Sequence, residues 1–309
     1  MDLKNKERIA NLSLVLVTII WGSGFIATEY LIKANWSTSL IMFTRFTIAA
    51  IILGIVLNKN ILKINKTEII NGTIAGMFLF LGFYTQTLGQ TMTNVSNVAF
   101  LTATNVIMIP FISWLISKNK PKLQTILLVS LALLGVGVLS FESGRFSLGV
   151  GDILVLLGAF FFATQIAYLE KATKDSDPVR INFMQILTAT VLSSISFAVN
   201  SQGIQGANVR EGILPILFLG IFSTCICFLV QTSAQKYVSA SKVGIILSLE
   251  GVFGGIFSVV LGFETLTVKL VIGGTLIVVA SIMSNIDLSQ KVEEIYEKYM
   301  IRMQKDVSS

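Results

Sequence analysis

Four ionisable side chains stand inside apolar stretches long enough to cross a bilayer: Glu29, Arg45, Lys242 and Glu250. A charge at the centre of a membrane helix costs at least about 2.5–3.5 kcal/mol on insertion scales, so each needs a reason to be there. Arg45 could grip a carboxylate through two parallel N–H donors, or it could pair with Glu29. Glu250 is the deepest. At 1.5 Å per residue it lies about 18 Å along its span, near the middle of a core about 30 Å thick. It could face an ammonium group, carry a proton, or act as a structural carboxylate. Lys242 sits about 6 Å from the end of the same span, where a long side chain can snorkel to the headgroups.

Amides form the second set. Gln86 with Gln90, and Gln231 with Gln235, are i, i+4 pairs, so each pair lies on one helix face. Two such polar strips suit the wall of a cavity, or hydrogen bonding between helices worth about 0.6 kcal/mol each. Asn105, Thr164, Gln165 and Gln185 are further polar candidates within apolar runs, and Trp21 and Tyr84 are aromatic ones. Trp21 lies about twelve residues into its span, which suits a cavity better than a headgroup belt.

Ten apolar spans position these residues, at about 9–31, 37–57, 68–90, 94–117, 122–140, 150–170, 178–200, 212–235, 238–261 and 267–286. Backbone polar groups in lipid must be satisfied within the segment, so spans of this length are helices. The expected fold is therefore an all-α integral membrane protein of ten transmembrane helices. Turn signals at Asn58-Lys59-Asn60, Ser117 to Pro121 and Asp175 to Pro178 separate neighbouring spans. Pro110 should kink the fourth. With the amino terminus inside, loops and termini carry 16 Lys or Arg inside against 4 outside, which predicts cytoplasmic termini. Residues 287–309 form a polar tail whose Val292, Ile295, Tyr299 and Met303 recur at helical spacing. That tail is either an amphipathic helix on the inner leaflet or a solvated one.

The halves resemble each other. Phe83-x-x-Gln86-Thr87-x-x-Gln90 in span 3 recurs as Phe228-x-x-Gln231-Thr232-x-x-Gln235 in span 8, 145 residues later. Ser96 and Val98 meet Ser241 and Val243 at the same offset, which pairs Asn105 with Glu250. Tyr30-Leu31 meets Tyr168-Leu169 at an offset of 138, and Phe43-Thr-Arg45 meets Phe183-Met-Gln185 at 140. Each copy, 1–140 and 150–286, holds five spans. An odd number makes the second copy enter from the opposite side. Such inverted repeats are characteristic of secondary transporters, whose site lies near the midplane at the repeat interface.

Composition narrows the remaining classes. The 309 residues are 53% hydrophobic and 13% charged, with a mean hydropathy of +0.79, which leaves too little charge to cover a soluble surface. The net charge of +6 belongs to loops and termini rather than a basic stripe, so nucleic acid is not an expected partner. The absence of histidine removes His-ligated zinc and Ser-His-Asp chemistry, and no cofactor or metal is expected. Cys225 and Cys227 face apart on a helix and read as small core residues. An enzyme would need acid, base or metal groups at one depth, whereas Glu29, Arg45 and Glu250 sit at different depths. A receptor or assembly protein would call for larger loops.

Several segments carry a resemblance to a known family. They are Trp21-Gly-Ser-Gly-Phe25, Phe43-Thr-Arg45, Ser248-Leu-Glu-Gly-Val-Phe253 and Leu261-Gly-Phe-Glu-Thr-Leu-Thr267. The chain resembles the EamA branch of the drug/metabolite transporter superfamily over residues 9–286. It departs from that pattern at Gly251, where proline is usual, and at Lys118, where a glutamate closes the first repeat. The resemblance implies a ten-helix inverted-repeat permease of the plasma membrane, in a bacterial cell. Its cargo would be an amino acid, a related metabolite or a drug. The bilayer and a small-molecule substrate are the expected partners, while a coupling proton or sodium ion and a homodimer are left open.

Overall fold

The computed structural model describes residues 2–118, 120–140, 149–200, 204–262 and 265–284. The expected amphipathic tail, 287–309, lies outside them. Every regular element among the described residues is helical. The helices are α1 (Leu3–Lys33), α2 (Thr38–Ile61), α3 (Lys66–Gln90), α4 (Val95–Ala103), α5 (Asn105–Ser117), α6 (Leu123–Ser140) and α7 (Val150–Ala172). After these come α8 (Pro178–Val199), α9 (Val209–Phe218), a π-helical segment (Leu219–Ile226), α10 (Cys227–Ala234), α11 (Ala240–Leu247), α12 (Leu249–Val260) and α13 (Val268–Ser284). Eight stretches are long and apolar enough to cross a membrane, counting α4–α5, α9–α10 and α11–α12 as one each. Two shorter apolar helices, Leu123–Gly135 and Val271–Met283, stand where the fifth and tenth spans were expected.

Local chemistry sets the helix starts. Asn65 and Glu68 form a reciprocal capping box at α3. Asp177 caps α8, with Pro178 in the first turn where its missing N–H costs nothing. The Asn58 turn signal appears inside α2 as a kink with φ 12°, ψ −86°. Span 4 also breaks differently from expectation. Pro110 lies within α5, and the interruption comes earlier, at Thr104. A matching interruption at Ser248 divides span 9. Thr104 Oγ1 turns back onto the Leu101 carbonyl at 2.6 Å, and Ser248 Oγ onto the Ile245 carbonyl at 2.7 Å. Such back-bonding competes with the helical ladder and bends it.

Helix directions follow from close contacts. A Cβ on Gly89 would stand 2.6 Å from the Gly151 carbonyl oxygen, so α7 begins beside the end of α3. It ends beside the start of α3, where Tyr168 donates to Asn71 Oδ1 at 2.8 Å. Helices α3 and α7 are therefore antiparallel, and α1 runs likewise against α9–α10: Trp36 packs on Gly212 at one end and Lys6 lies over the Tyr237 ring at the other. Helices α2 and α8, α6 and α13, and α4–α5 with α11–α12 pack on one another.

These contacts fix the register of the similarity between halves. Gln90 Nε2 donates to the Phe25 carbonyl at 2.9 Å, and Gln235 Nε2 to the Ile166 carbonyl at 2.7 Å. Span 1 thus matches span 6 at an offset of 141, one helical turn from the 138 read off Tyr30 and Tyr168. At 141 for spans 1 and 6 and 145 for spans 3 and 8, Gly151, Gly158, Gly82 and Gly89 of the α3–α7 seam correspond to Ala10, Val17, Cys227 and Ala234, which cluster together between α1 and α10. The two cysteines are free and buried, and Cys227 holds the place of a glycine in a tight helix contact. The α4–α12 contact of Ala99 with Gly254 corresponds to that of Ile109 with Gly244 at an offset of 145.

Candidate functional site

A cavity opens among the spans, concave and mostly apolar with a few polar groups, as small-molecule sites are. Trp21, Arg45, Gln86, Asn105, Gln165, Gln231 and Glu250 line it. The sequence pointed to each of these. Its apolar walls, including Phe83, Phe162, Phe228 and Leu219, were missed, because an aromatic or aliphatic residue in an apolar span carries no signal of which way it faces. Phe83 and Phe228 could have been found, since they open the repeated Phe-x-x-Gln motif.

Arg45 is 2% exposed. Its Nε donates to Thr224 Oγ1 at 3.0 Å and its Nη2 to Ser223 Oγ at 3.4 Å. The guanidinium carbon stands 4.0 Å from the centre of the Phe83 ring, a cation–π contact. Among the described residues no carboxylate comes within 4 Å of it. The expected pairing with Glu29 is not formed. Glu29 instead meets Lys33 at 3.5 Å and Gln90 Nε2 at 3.5 Å. Arg45 is therefore oriented by neutral hydroxyls and a ring face, and its charge stays uncompensated.

The π segment makes that orientation. Counting from the equivalent caps Asn65 and Asn208 to Gln86 and Gln231, the offset between spans 3 and 8 grows from 143 to 145. The wide turns of Leu219–Ile226 take up the two extra residues. There the Ser223 carbonyl accepts from Trp21 Nε1 at 2.9 Å while the Ser223 and Thr224 hydroxyls hold Arg45. No propensity in the sequence marks a π turn, so this element was invisible. Replacing Thr224 by valine keeps the shape and removes the acceptor for Nε. We expect ligand affinity at this site to fall about tenfold, read by titration of any ligand found to bind, with Thr224→Ser restoring it.

Glu250 is 5% exposed and has no hydrogen-bond or ion-pair partner among the described residues. It lies two residues past the Ser248 interruption, and Asn105 lies one past Thr104. Asn105 Oδ1 and Gln231 Oε1 are buried without partners among the described residues.

Each glutamine pair is divided in the same way. The inner members line the cavity, Gln86 donating to Thr102 Oγ1 at 2.8 Å and Gln231 to Gln165 Oε1 at 3.3 Å. The outer members, Gln90 and Gln235, clamp the carbonyls of Phe25 and Ile166 and tie helices together. Gln185 stands one step behind the wall. It accepts from Gln165 at 3.1 Å and donates to Asn182 at 2.7 Å and Thr232 at 2.9 Å. Tyr84 packs on Phe80, Thr164 bonds back to the Phe160 carbonyl, and Lys242 pairs with Glu7 at 2.8 Å near the amino terminus. None of the three lines the cavity.

The halves differ where it matters for binding. Gln165 and Gln185 of the second half correspond to Gly24 and Arg45 of the first. One half fills this region with a neutral amide ladder. The other has a glycine on the wall and an unpaired cation. Filling that space with Gly24→Val brings a side chain beside Ser223, whose Oγ would be 3.4 Å from the new Cβ, an ordinary contact. We expect a folded protein with weakened ligand binding, checked by thermal shift with and without ligand.

The described residues contain no group of three or more His, Cys, Asp or Glu placed to hold a metal ion. The family model of EamA-like transporters matches residues 8–141 and again 149–286. The chain belongs to the EamA-like transporter family. As in that family, it is a multi-pass membrane protein with a transporter's role. It is 33% identical over 277 residues to an uncharacterized transporter of Archaeoglobus fulgidus, covering 90% of this chain and 86% of that protein. An uncharacterized transporter of Clostridium kluyveri is 24% identical over 259 residues, covering 79% of this chain and 82% of that one. The EamA chain also superposes on a solved crystal structure with a TM-score of 0.72, over 94% of its length and 99% of the other, at 15% identity. That likeness concerns the fold alone.

Proposed function

We propose that this EamA-family protein is a secondary carrier for a small zwitterion of the amino-acid class, working by alternating access. The observation that carries the reading is the pair Arg45 and Glu250. Both are buried on the wall of one cavity, and neither has a counter-charge among the described residues. A buried unpaired charge is strongly unfavourable unless something supplies the partner. A substrate bearing both carboxylate and ammonium supplies both partners at once, and the five aromatic residues of the wall, Trp21, Phe25, Phe83, Phe162 and Phe228, exclude water around it.

The ten-helix inverted architecture belongs to the same proposal. Five helical stretches in each half, the antiparallel run of α3 against α7, and contacts that repeat on exchange of the halves all support it. Rocking one half against the other exposes a fixed midplane site to each side in turn. Glu250 and Glu29 are the carboxylates available to a coupling proton. The excess of Lys and Arg in alternate loops supports cytoplasmic termini, and a plasma-membrane location is part of the same proposal.

The aromatic lining together with Glu250 also favours a second cargo, a lipophilic cation. Purified protein in liposomes tests both. Saturable counterflow of an amino acid supports the zwitterion. Counterflow of organic cations alone overturns it in favour of the second cargo.

A further inference from the structure

We infer that Ser258 and Glu29, with their counterparts Ser113 and Glu170, are gating residues. Each pair closes one end of the bundle, and only one pair is joined at a time. The inference rests on the alternating-access reading above and assigns the contacts by which it switches.

The register fixed by packing identifies the pairs. Glu29 corresponds to Glu170 at the offset of 141, and Ser258 to Ser113 at 145. The span 1–span 9 contact is thus the counterpart of the span 6–span 4 contact. Both are close: Gly22 lies against Phe253 and Gly254, and Ala163 and Ile166 cluster with Ile109. The two seams nevertheless differ at their far ends. Ser113 Oγ donates to Glu170 Oε2 at 2.6 Å, a short charge-assisted bond. The corresponding bond from Ser258 is absent, and Ser258 Oγ is buried at 0% exposure with no partner among the described residues. Glu29 turns instead to Lys33 and Gln90.

The missing contact lies at a particular end. Glu170 ends α7 beside the start of α3, the end that holds the amino terminus, where Glu7 also pairs with Lys242 across spans 1 and 9. That end is tied across both seams. At the opposite end Thr93 donates to Asp152 at 2.6 Å across spans 4 and 6, and the span 1–span 9 seam has no matching tie from Ser258. A buried hydroxyl with no acceptor is costly, and Glu29 is the carboxylate that corresponds to the acceptor its counterpart has. In this conformation the amino-terminal end is closed. Joining Glu29 to Ser258 and parting Glu170 from Ser113 gives the other state, in the manner of a two-state element biased by a single contact.

The test needs no substrate. A reporter cysteine at Gly24, on the cavity wall, is placed in a chain with Cys225 and Cys227 changed to serine. It is then labelled in oriented membranes with an impermeant maleimide added to one side. The parent should label from both sides, in proportion to the two states. Ser113→Ala should lower labelling from the side away from the amino terminus about tenfold relative to labelling from the amino-terminal side. Ser258→Ala should shift that ratio the opposite way. Ser113→Thr and Ser258→Thr, which keep the hydroxyl, should restore the parent ratio. Shifts of both alanine variants in one direction, or no shift in either, overturn the gating assignment while leaving alternating access intact. Labelling of the parent from one side alone overturns alternating access itself, and the gate with it.

Discussion

Arg45→Met is expected to abolish uptake of a zwitterionic substrate at any practical concentration while leaving the protein folded. The loss of one partner from a buried charge pair costs about 2–5 kcal/mol, so affinity should fall by between roughly 30-fold and several thousandfold. Two features set the size of the effect. The guanidinium is held by Thr224 and Ser223 without being neutralised, and Gly24 lines the same wall. The fold should tolerate the change, because methionine fills the place of the arginine stem, its sulfur suits a neighbouring ring such as Phe83, and no ion pair among the described residues is broken. Equilibrium binding to detergent-purified protein, followed by counterflow in liposomes, reads the effect. Glu250→Gln should produce a loss of the same order for the zwitterion. If organic cations are carried, their counterflow should survive Arg45→Met and fail in Glu250→Gln. Unchanged amino-acid counterflow in Arg45→Met would remove the zwitterion reading.

The second large effect concerns folding. Gly89→Val should leave little protein that survives extraction. The new Cβ would stand 2.6 Å from the Gly151 carbonyl oxygen and 2.7 Å from Val155 Cγ2. A main-chain oxygen in a packed helix cannot swing aside, so α3 and α7 must separate. Overpacking of a well-filled interface costs about 1–3 kcal/mol, and a clash with backbone lies at the upper end or beyond. Gly137→Ala is the matched control, since a Cβ there meets nothing within 4 Å. The measurement is the fraction of protein remaining monodisperse after heating in detergent. Equal survival of Gly89→Val and Gly137→Ala would show that the glycine seam does not hold the halves together.

That seam explains why the halves pack as they do. Between lipid-exposed helices no hydrophobic force acts, and association depends on close approach at small residues. Gly82, Gly89, Gly151 and Gly158 allow that approach on one side. Ala10, Cys227 and Ala234 allow it on the other. The cavity lies between the two seams, bounded by the helices they bring together.

Much of this was legible in the chain itself. Long apolar runs have one solution in lipid, so helices and their approximate limits followed from hydropathy alone. The recurrence of Phe-x-x-Gln-Thr-x-x-Gln exposed the duplication. The cost of an intramembrane charge singled out Arg45 and Glu250, and both line the cavity. The same reasoning could not separate the members of each glutamine pair. Gln86 and Gln90 share a helix face, and only the neighbours decide that one meets the cavity while the other clamps a carbonyl. Nor could it dispose of Glu29 and Lys242, whose partners Lys33 and Glu7 lie at the ends of the bundle.

What the sequence determined by itself is whatever depends on a residue and its near neighbours in the chain: transfer into lipid, helix formation, caps and repetition. Tertiary structure decided the rest, because those properties arise between segments far apart in the chain. The one-turn correction to the match of spans 1 and 6 came from two interhelical hydrogen bonds. The aiming of Arg45 came from a π segment 178 residues away at Ser223. The difference between the Ser113 and Ser258 seams is a property of one conformation. Such a difference depends on which helices meet, and no run of neighbouring residues in the chain carries it.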